Sequence, residues 1–280
     1  MSQFQFKQVD VFSRVALKGN PVAVVLNADG LSDAQMADFA RWTNLSETTF
    51  VLRPQDPQAD YRLRIFTTLR ELPFAGHPTL GSCHAWLEAG GQPKGREVIQ
   101  ECGAGLITIR RDAEQLAFKA PPLLRSGPVE EALIQRICAG LRIEPQAVVR
   151  ASWVDNGPGW VAVMLRDRAQ VLALEPDYPQ LLGLALGVIA PWDSAKDGDE
   201  AHFEVRAFIA GDGMQEDPVT GSLNAGLAQW LMAQGLAPAR YTVSQGTAMG
   251  RAGRVAIERV GDDIWVGGAA VTCLSGHLTL

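Results

Sequence analysis

The pattern of apolar and polar positions alternates along most of this chain and is broken twice by a nearly solid apolar block. Residues 4–12 alternate and predict a half-buried strand, and residues 22–26 (VAVVL) predict a fully buried one after a turn at Lys18-Gly19-Asn20-Pro21. The period then lengthens. Met36, Phe39, Ala40 and Thr43 fall on one face of a helix that Ser32 and Gln35 open as a capping box and that stops near Asn44. Residues 45–50 lead into a strand running through Leu52, and 61–66 alternate again. Further short strands are predicted at 97–100, 106–109 and 115–118, and Ala120-Pro121-Pro122 reads as a linker. The later part repeats this order. A helix at 130–141 turns Leu133, Ile134, Ile137, Cys138 and Leu141 inward. It is followed by a strand at 161–165, a helix at 178–186, a strand at 203–209 and closing strands at 254–258, 264–267 and 269–273.

The two apolar blocks are LPFAGHPTLGSCHAWLEAG at 72–90 and VTGSLNAGLAQWLMAQG at 219–235. A helix that is apolar all round belongs inside a core. Glycines fall at 76, 81 and 90 in the first block and at 221, 226 and 235 in the second, with identical spacing. Elements recurring in order around matched helices predict a duplication. The expected halves are residues 1–120 and 121–270. An alternative register pairs HPTLGS with DPVTGS and sets His77 opposite Asp217; the glycine register preserves helix length.

The chemistry gathers at the helix mouths. A first helical turn leaves backbone N–H groups unpaired and carries the positive end of the dipole, so two such mouths could hold a small anion without Lys or Arg. Gly76 and Gly221 would let a ligand approach the backbone. Taken singly, His77 also fits a core histidine bonded to a carbonyl, Asp217 a turn before Pro218, and Ser222 an N-cap hydroxyl. One acidic residue breaks the symmetry. Glu47 lies as far beyond Val22 as Leu186 lies beyond Val161, and the second copy has no acid there. A lone loop glutamate is ordinarily solvated, but a carboxylate present in only one copy invites a functional reading.

Composition mainly excludes. A formal net charge of −6 argues against nucleic acid or an anionic membrane as partner. The four cysteines show neither C-x-x-C pairing nor zinc-ligand spacing, and fit buried thiols of a reducing compartment. The start lacks the basic-then-apolar pattern of a secretory leader, and no stretch of about 20 apolar residues suggests a membrane span. A cytoplasmic location is expected. GxxxxGK[ST], GxGxxG and GxSxG motifs are absent.

Four motifs in order, GNPVAVV at 19–25, LSETTF at 45–50, ELPFAGHPTLG at 71–81 and EDPVTGS at 216–222, resemble the PhzF family of phenazine-biosynthesis-like isomerases. The resemblance spans nearly the whole chain. It implies an α+β fold similar to diaminopimelate epimerase: two pseudo-symmetric halves, each a mixed, largely antiparallel barrel-like sheet wrapped around a central helix. It also implies that the strand at 271–280 returns to the first half, a site where Glu47, His77, Asp217 and Ser222 converge, a homodimer, and no cofactor or metal. Glu47 matches the family's catalytic glutamate, with His77 and Asp217 as its catalytic companions. Asn20, Ser46, Gly76, Thr220, Gly221 and Ser222 are the candidate substrate-binding positions for a small anionic substrate. The implied reaction moves a proton between carbons of a cyclic amino- or hydroxy-acid. Apolar Leu45, Phe50 and Phe74 around Glu47 predict a raised carboxyl pKa. Two other functions fit the same fold: an amino-acid epimerase or racemase, and a non-catalytic small-molecule-binding protein. A two-thiol racemase would need cysteine before each mouth glycine, where this chain has Ala75 and Thr220.

Overall fold

A computed structural model describes residues 2–112, 115–211 and 215–280. The chain divides into two compact units, one formed by the residues up to Lys119 together with Gly267–Leu280, the other by Ala120–Val266.

In the first unit, β1 (Gln3–Val11) pairs antiparallel with β2 (Asn20–Leu26). Helix α1 (Asp33–Thr43) follows, with the Ser32–Gln35 capping box formed and Asn44 in the left-handed conformation that ends it. Met36, Phe39 and Ala40 are buried, as their spacing predicts. β3 (Thr48–Leu52) runs parallel to β2 and antiparallel to β4 (Tyr61–Phe66). The two-residue β5 (Glu71–Leu72) pairs with the end of β4 and delivers the chain to α2 (Gly76–Glu88). β6 (Val98–Cys102) runs parallel to β4, and β7 (Gly105–Arg111) and β8 (Leu116–Lys119) complete an antiparallel meander.

The second unit repeats these pairings. β9 (Arg125–Gly127) precedes α3 (Glu131–Leu141), and β10 (Arg150–Asp155) pairs antiparallel with both β9 and β11 (Trp160–Met164). Short helices α4 (Arg168–Leu172) and α5 (Tyr178–Leu181) stand where the first unit has α1. β12 (Ala185–Pro191) runs parallel to β11, a small helix α6 (Ser194–Asp197) follows, and β13 (Phe203–Ile209) pairs antiparallel with β12. β14 (Glu216–Asp217) again pairs with the end of the preceding strand and leads into α7 (Gly221–Ala233). β15 (Arg240–Gln245) runs parallel to β13, and β16 (Gly253–Val260) and β17 (Asp263–Gly268) follow. β18 (Ala270–Thr279) pairs with β1 along most of its length.

The helix expected at 178–186 is corrected. It is confined to Tyr178–Leu181, Gly183 adopts a positive φ of 78°, and Leu186 lies in β12 opposite Phe208. A left-handed residue breaks the i→i−4 ladder, and the apolar run beyond it is a buried strand.

The two 13-residue central helices follow the glycine register. A Cβ on Gly81 would lie 2.4 Å from Val22 Cγ1, and one on Gly226 would lie 2.2 Å from the Val154 carbonyl oxygen. Each helix therefore packs directly on its sheet at the middle glycine, and Gly90 and Gly235, both at positive φ, end the runs.

A second feature is duplicated. Arg64 on β4 makes a bidentate pair with Glu71 on β5, and Arg206 on β13 makes one with Glu216 on β14. Each guanidinium also sits over the phenylalanine two residues on, Phe66 or Phe208. This clamp fixes the tight hairpin ahead of each helix mouth. In the first unit Glu71 is 41% exposed, whereas in the second Glu216 is 9% exposed.

Candidate active site

Glu47 occupies the turn immediately before β3. The parallel register sets Ala23 beside Thr48, and Ser82 of α2 donates to Thr49, which donates to the Ala23 carbonyl. The start of β3 is thereby tied to the first half of α2. His77, the second residue of α2, is 4% exposed, and its Nε2 lies 3.5 Å from Glu47 Oε2. The Glu47 side chain retains 16% of its exposure, but Oε2 itself is closed to solvent and makes no hydrogen bond among the described residues. Burial pushes the carboxyl up from 4.5 to about 7, against the opposing effect of a hydrogen bond from the Ser46 side chain. The expected upward shift is present.

Asn20 opens β2, is 1% exposed, and brings Nδ2 to 3.3 Å from His77 Nδ1. Gly76 begins α2; Pro78 has no N–H and Thr79 N–H donates to the Ala75 carbonyl, so Gly76 and His77 supply the N–H groups of this mouth. The structure thus brings Asn20, Ser46, Glu47, Gly76 and His77 together within the first unit.

In the second unit Asp217 is 8% exposed on β14, and the Thr220 hydroxyl donates to its Oδ2 at 2.6 Å. Gln245, fully buried on β15, organises this mouth. Its Oε1 accepts from Thr220 N–H and Asn224 Nδ2, and its Nε2 donates to Thr220 Oγ1 and to the Asp217 carbonyl. Ser222 Oγ accepts from Trp160 Nε1 at 3.0 Å, and its carbonyl accepts from Asn156 Nδ2. Gly221 begins the helix beside them. Gln245, Trp160 and Asn156 were not expected from the motifs. One signal was available: Gln100 lies as far before Gln245 as Gly76 before Gly221, and it bonds Thr79, the counterpart of Asn224.

Two cavities hold none of the predicted residues. One of about 290 Å³ lies at the far end of α2, against Trp86 and Gly90. One of about 610 Å³ lies along Trp153, Gln229 and Trp230. Neither is lined by Glu47 or His77. Among the described residues no cluster of His, Cys, Asp or Glu is arranged to hold a metal ion.

Two copies of a mixed sheet around a buried helix define a diaminopimelate epimerase-like fold. The comparisons narrow the class. The family described as phenazine biosynthesis-like protein matches residues 9–276, and the chain belongs to this PhzF-like isomerase family. It is similar to antisense-enhancing sequence 1 of Schizosaccharomyces pombe, with 38% identity over 99% of both chains. It is also similar to the trans-2,3-dihydro-3-hydroxyanthranilate isomerase of Pseudomonas aeruginosa, with 34% identity over 88% of this chain and 87% of the relative. Among solved structures, a PhzF-family phenazine biosynthesis protein of Enterococcus faecalis superposes with a TM-score of 0.82 at 26% identity, covering 100% of both chains.

Proposed function

We propose that this chain is a cofactor-independent isomerase that moves a proton between carbons of a small carboxylate-bearing substrate, with Glu47 as the acid/base. The observation that carries the reading is the Glu47 carboxyl itself, shielded at Oε2, facing His77 and poised by burial at about 7. A base for a weak carbon acid works best near the working pH, where it can accept and return the same proton. Glu47 takes the proton from one carbon, the double bond shifts, and the protonated carboxyl delivers it to another. The product is an isomer, and no electron acceptor is consumed. His77 orients the substrate's polar substituents and the mouth of α2 grips its carboxylate; Asp217 and Ser222, at the mouth of α7, are the second unit's candidates for the same two roles. The compound named for the Pseudomonas aeruginosa relative, trans-2,3-dihydro-3-hydroxyanthranilate, is the first substrate to offer. A homodimeric, cytoplasmic enzyme is part of the same proposal; among the described residues no helix is long and apolar enough to cross a membrane.

The epimerase alternative has less support in its thiol form. Ala75 and Thr220 stand immediately before the mouth glycines, and Cys83 is buried inside α2 with its thiol pushed up to about 12 by burial. The test is NMR of the offered substrate in D2O with the wild-type chain and Glu47→Gln. Deuterium should enter substrate carbon, and Glu47→Gln should slow turnover about 10²-fold or more. Wild-type turnover by Glu47→Gln would remove Glu47 from the role.

A further inference from the structure

Asn20 meets His77 on the side of the imidazole turned away from Glu47. An amide N–H can only donate, so with Asn20 Nδ2 at 3.3 Å, His77 Nδ1 is the acceptor. A neutral imidazole accepting at Nδ1 carries its one proton on Nε2, the nitrogen that lies 3.5 Å from Glu47 Oε2. The position of Asn20 is enforced from behind. Gly19 N–H donates to Oδ2 of the buried Asp10 at 2.7 Å, and a Cβ on Gly19 would come within 2.1 Å of the Val11 carbonyl oxygen. β1 also pairs Val11 with Asn20 across the hairpin. The turn therefore admits glycine at 19 and delivers Asn20 to the imidazole.

We infer that Asn20 is a positioning residue: it holds His77 in the tautomer whose proton sits on Nε2 and faces Glu47. A carboxylate facing an N–H is favoured in its ionised form, whereas one facing a bare ring nitrogen is favoured as the acid. Asn20 thus biases Glu47 toward the base form at rest, against the burial that favours the acid. This consequence rests on the proposed role of Glu47; the tautomer does not, and it is read without any substrate.

The test is a long-range proton–nitrogen correlation spectrum of the full chain labelled with ¹⁵N-histidine, at about pH 9, well above the ordinary histidine range. The chain has four histidines, so a His77→Gln spectrum assigns the ring. The wild-type chain should show a bare Nδ1 and a protonated Nε2. Asn20→Asp, whose carboxylate can only accept, should reverse the pattern, and Asn20→Ala should give a mixture. A wild-type proton on Nδ1, or an unreversed pattern in Asn20→Asp, overturns the inference. If Asn20→Asp does not fold, the wild-type spectrum alone decides. Failure of Glu47 as the proton carrier would instead show in the turnover of Glu47→Gln with this spectrum unchanged.

Discussion

The buried Glu47 carboxyl has a consequence for stability that is independent of any substrate. Burial raises it from 4.5 in the unfolded chain to about 7 in the folded one. The folded state then holds this proton more tightly than the unfolded chain. Stability from this group is fully present below about pH 4.5, falls as pH rises through the window between the two values, and levels off above about 7. At about 1.4 kcal/mol per unit of pKa, the ionised folded state is disfavoured by about 3 kcal/mol, of which about 2.5 falls between pH 5 and pH 8. Glu47→Gln keeps the shape and removes the titration. Amide hydrogen exchange of Thr48–Leu52 and Gly76–Glu88, followed by mass spectrometry, reports opening of the surrounding core. Comparing variant with wild type at the same pH cancels the intrinsic exchange chemistry. The ratio of protection, Gln over Glu, should rise on the order of 50-fold from about pH 5 to about pH 8. A ratio that does not change with pH, or that falls, would refute the desolvated carboxyl and with it the poised acid/base.

The duplicated clamp gives an internal control: Glu216→Gln leaves Arg206 buried and uncompensated and should cost about 3–5 kcal/mol, whereas Glu71→Gln beside the more exposed Glu71 position should cost about 1 kcal/mol or less, both read by urea unfolding. Gly81→Ala should destabilise by about 1–3 kcal/mol in the same assay, because its new methyl meets Val22 and Val11 inside the core. Cys83, buried and with its thiol pushed up to about 12, should resist iodoacetamide in the folded chain and label on unfolding, while the partly exposed Cys273 labels in both states.

What the sequence disclosed was what is locally encoded. The capping box, the α1 face and the glycine frame of α2 and α7 all depend on spacings within a few turns, and all three appear as read. The losses have equally local causes. β12 is apolar without alternation, and a short continuous apolar run does not distinguish a buried strand from a buried helix. β5 and β14 have two residues each, too few for any period, and exist because the Arg64–Glu71 and Arg206–Glu216 clamps close them. The motifs carried Glu47 and His77, 30 positions apart, but not their meeting at 3.5 Å, which depends on the parallel pairing of β3 with β2 and the seat of α2 on both. Gln245 was missed because a buried glutamine in a strand has no periodic signature; its role exists only once β15 lies beside the first turn of α7.

The duplication also separates scaffold from chemistry. In both units the strand that opens with Asn20 or Trp160 pairs in parallel with its neighbour at the same offset along the chain, Ala23 with Thr48 and Val161 with Leu186. Thr48 pairs with Phe66 and Leu186 with Phe208, the two clamp phenylalanines, so Leu186 is the counterpart of Thr48, and the place of Glu47 is taken in the second unit by Ala185, one residue from where sequence spacing set it. By the glycine register, Asp217 stands where the first unit has Leu72, and Ser222 where it has His77. The arginine–glutamate clamp, the middle glycine and the glutamine that pins the helix start recur in both copies, because each serves a packing need that both copies share. Glu47, His77 and Asp217 do not recur. A buried carboxyl disfavours the folded state once ionised, and the uncharged Ala185 at the same position of the second unit carries no such cost. Stability therefore does not account for the glutamate, and what it offers in return is a proton held near neutrality beside an imidazole.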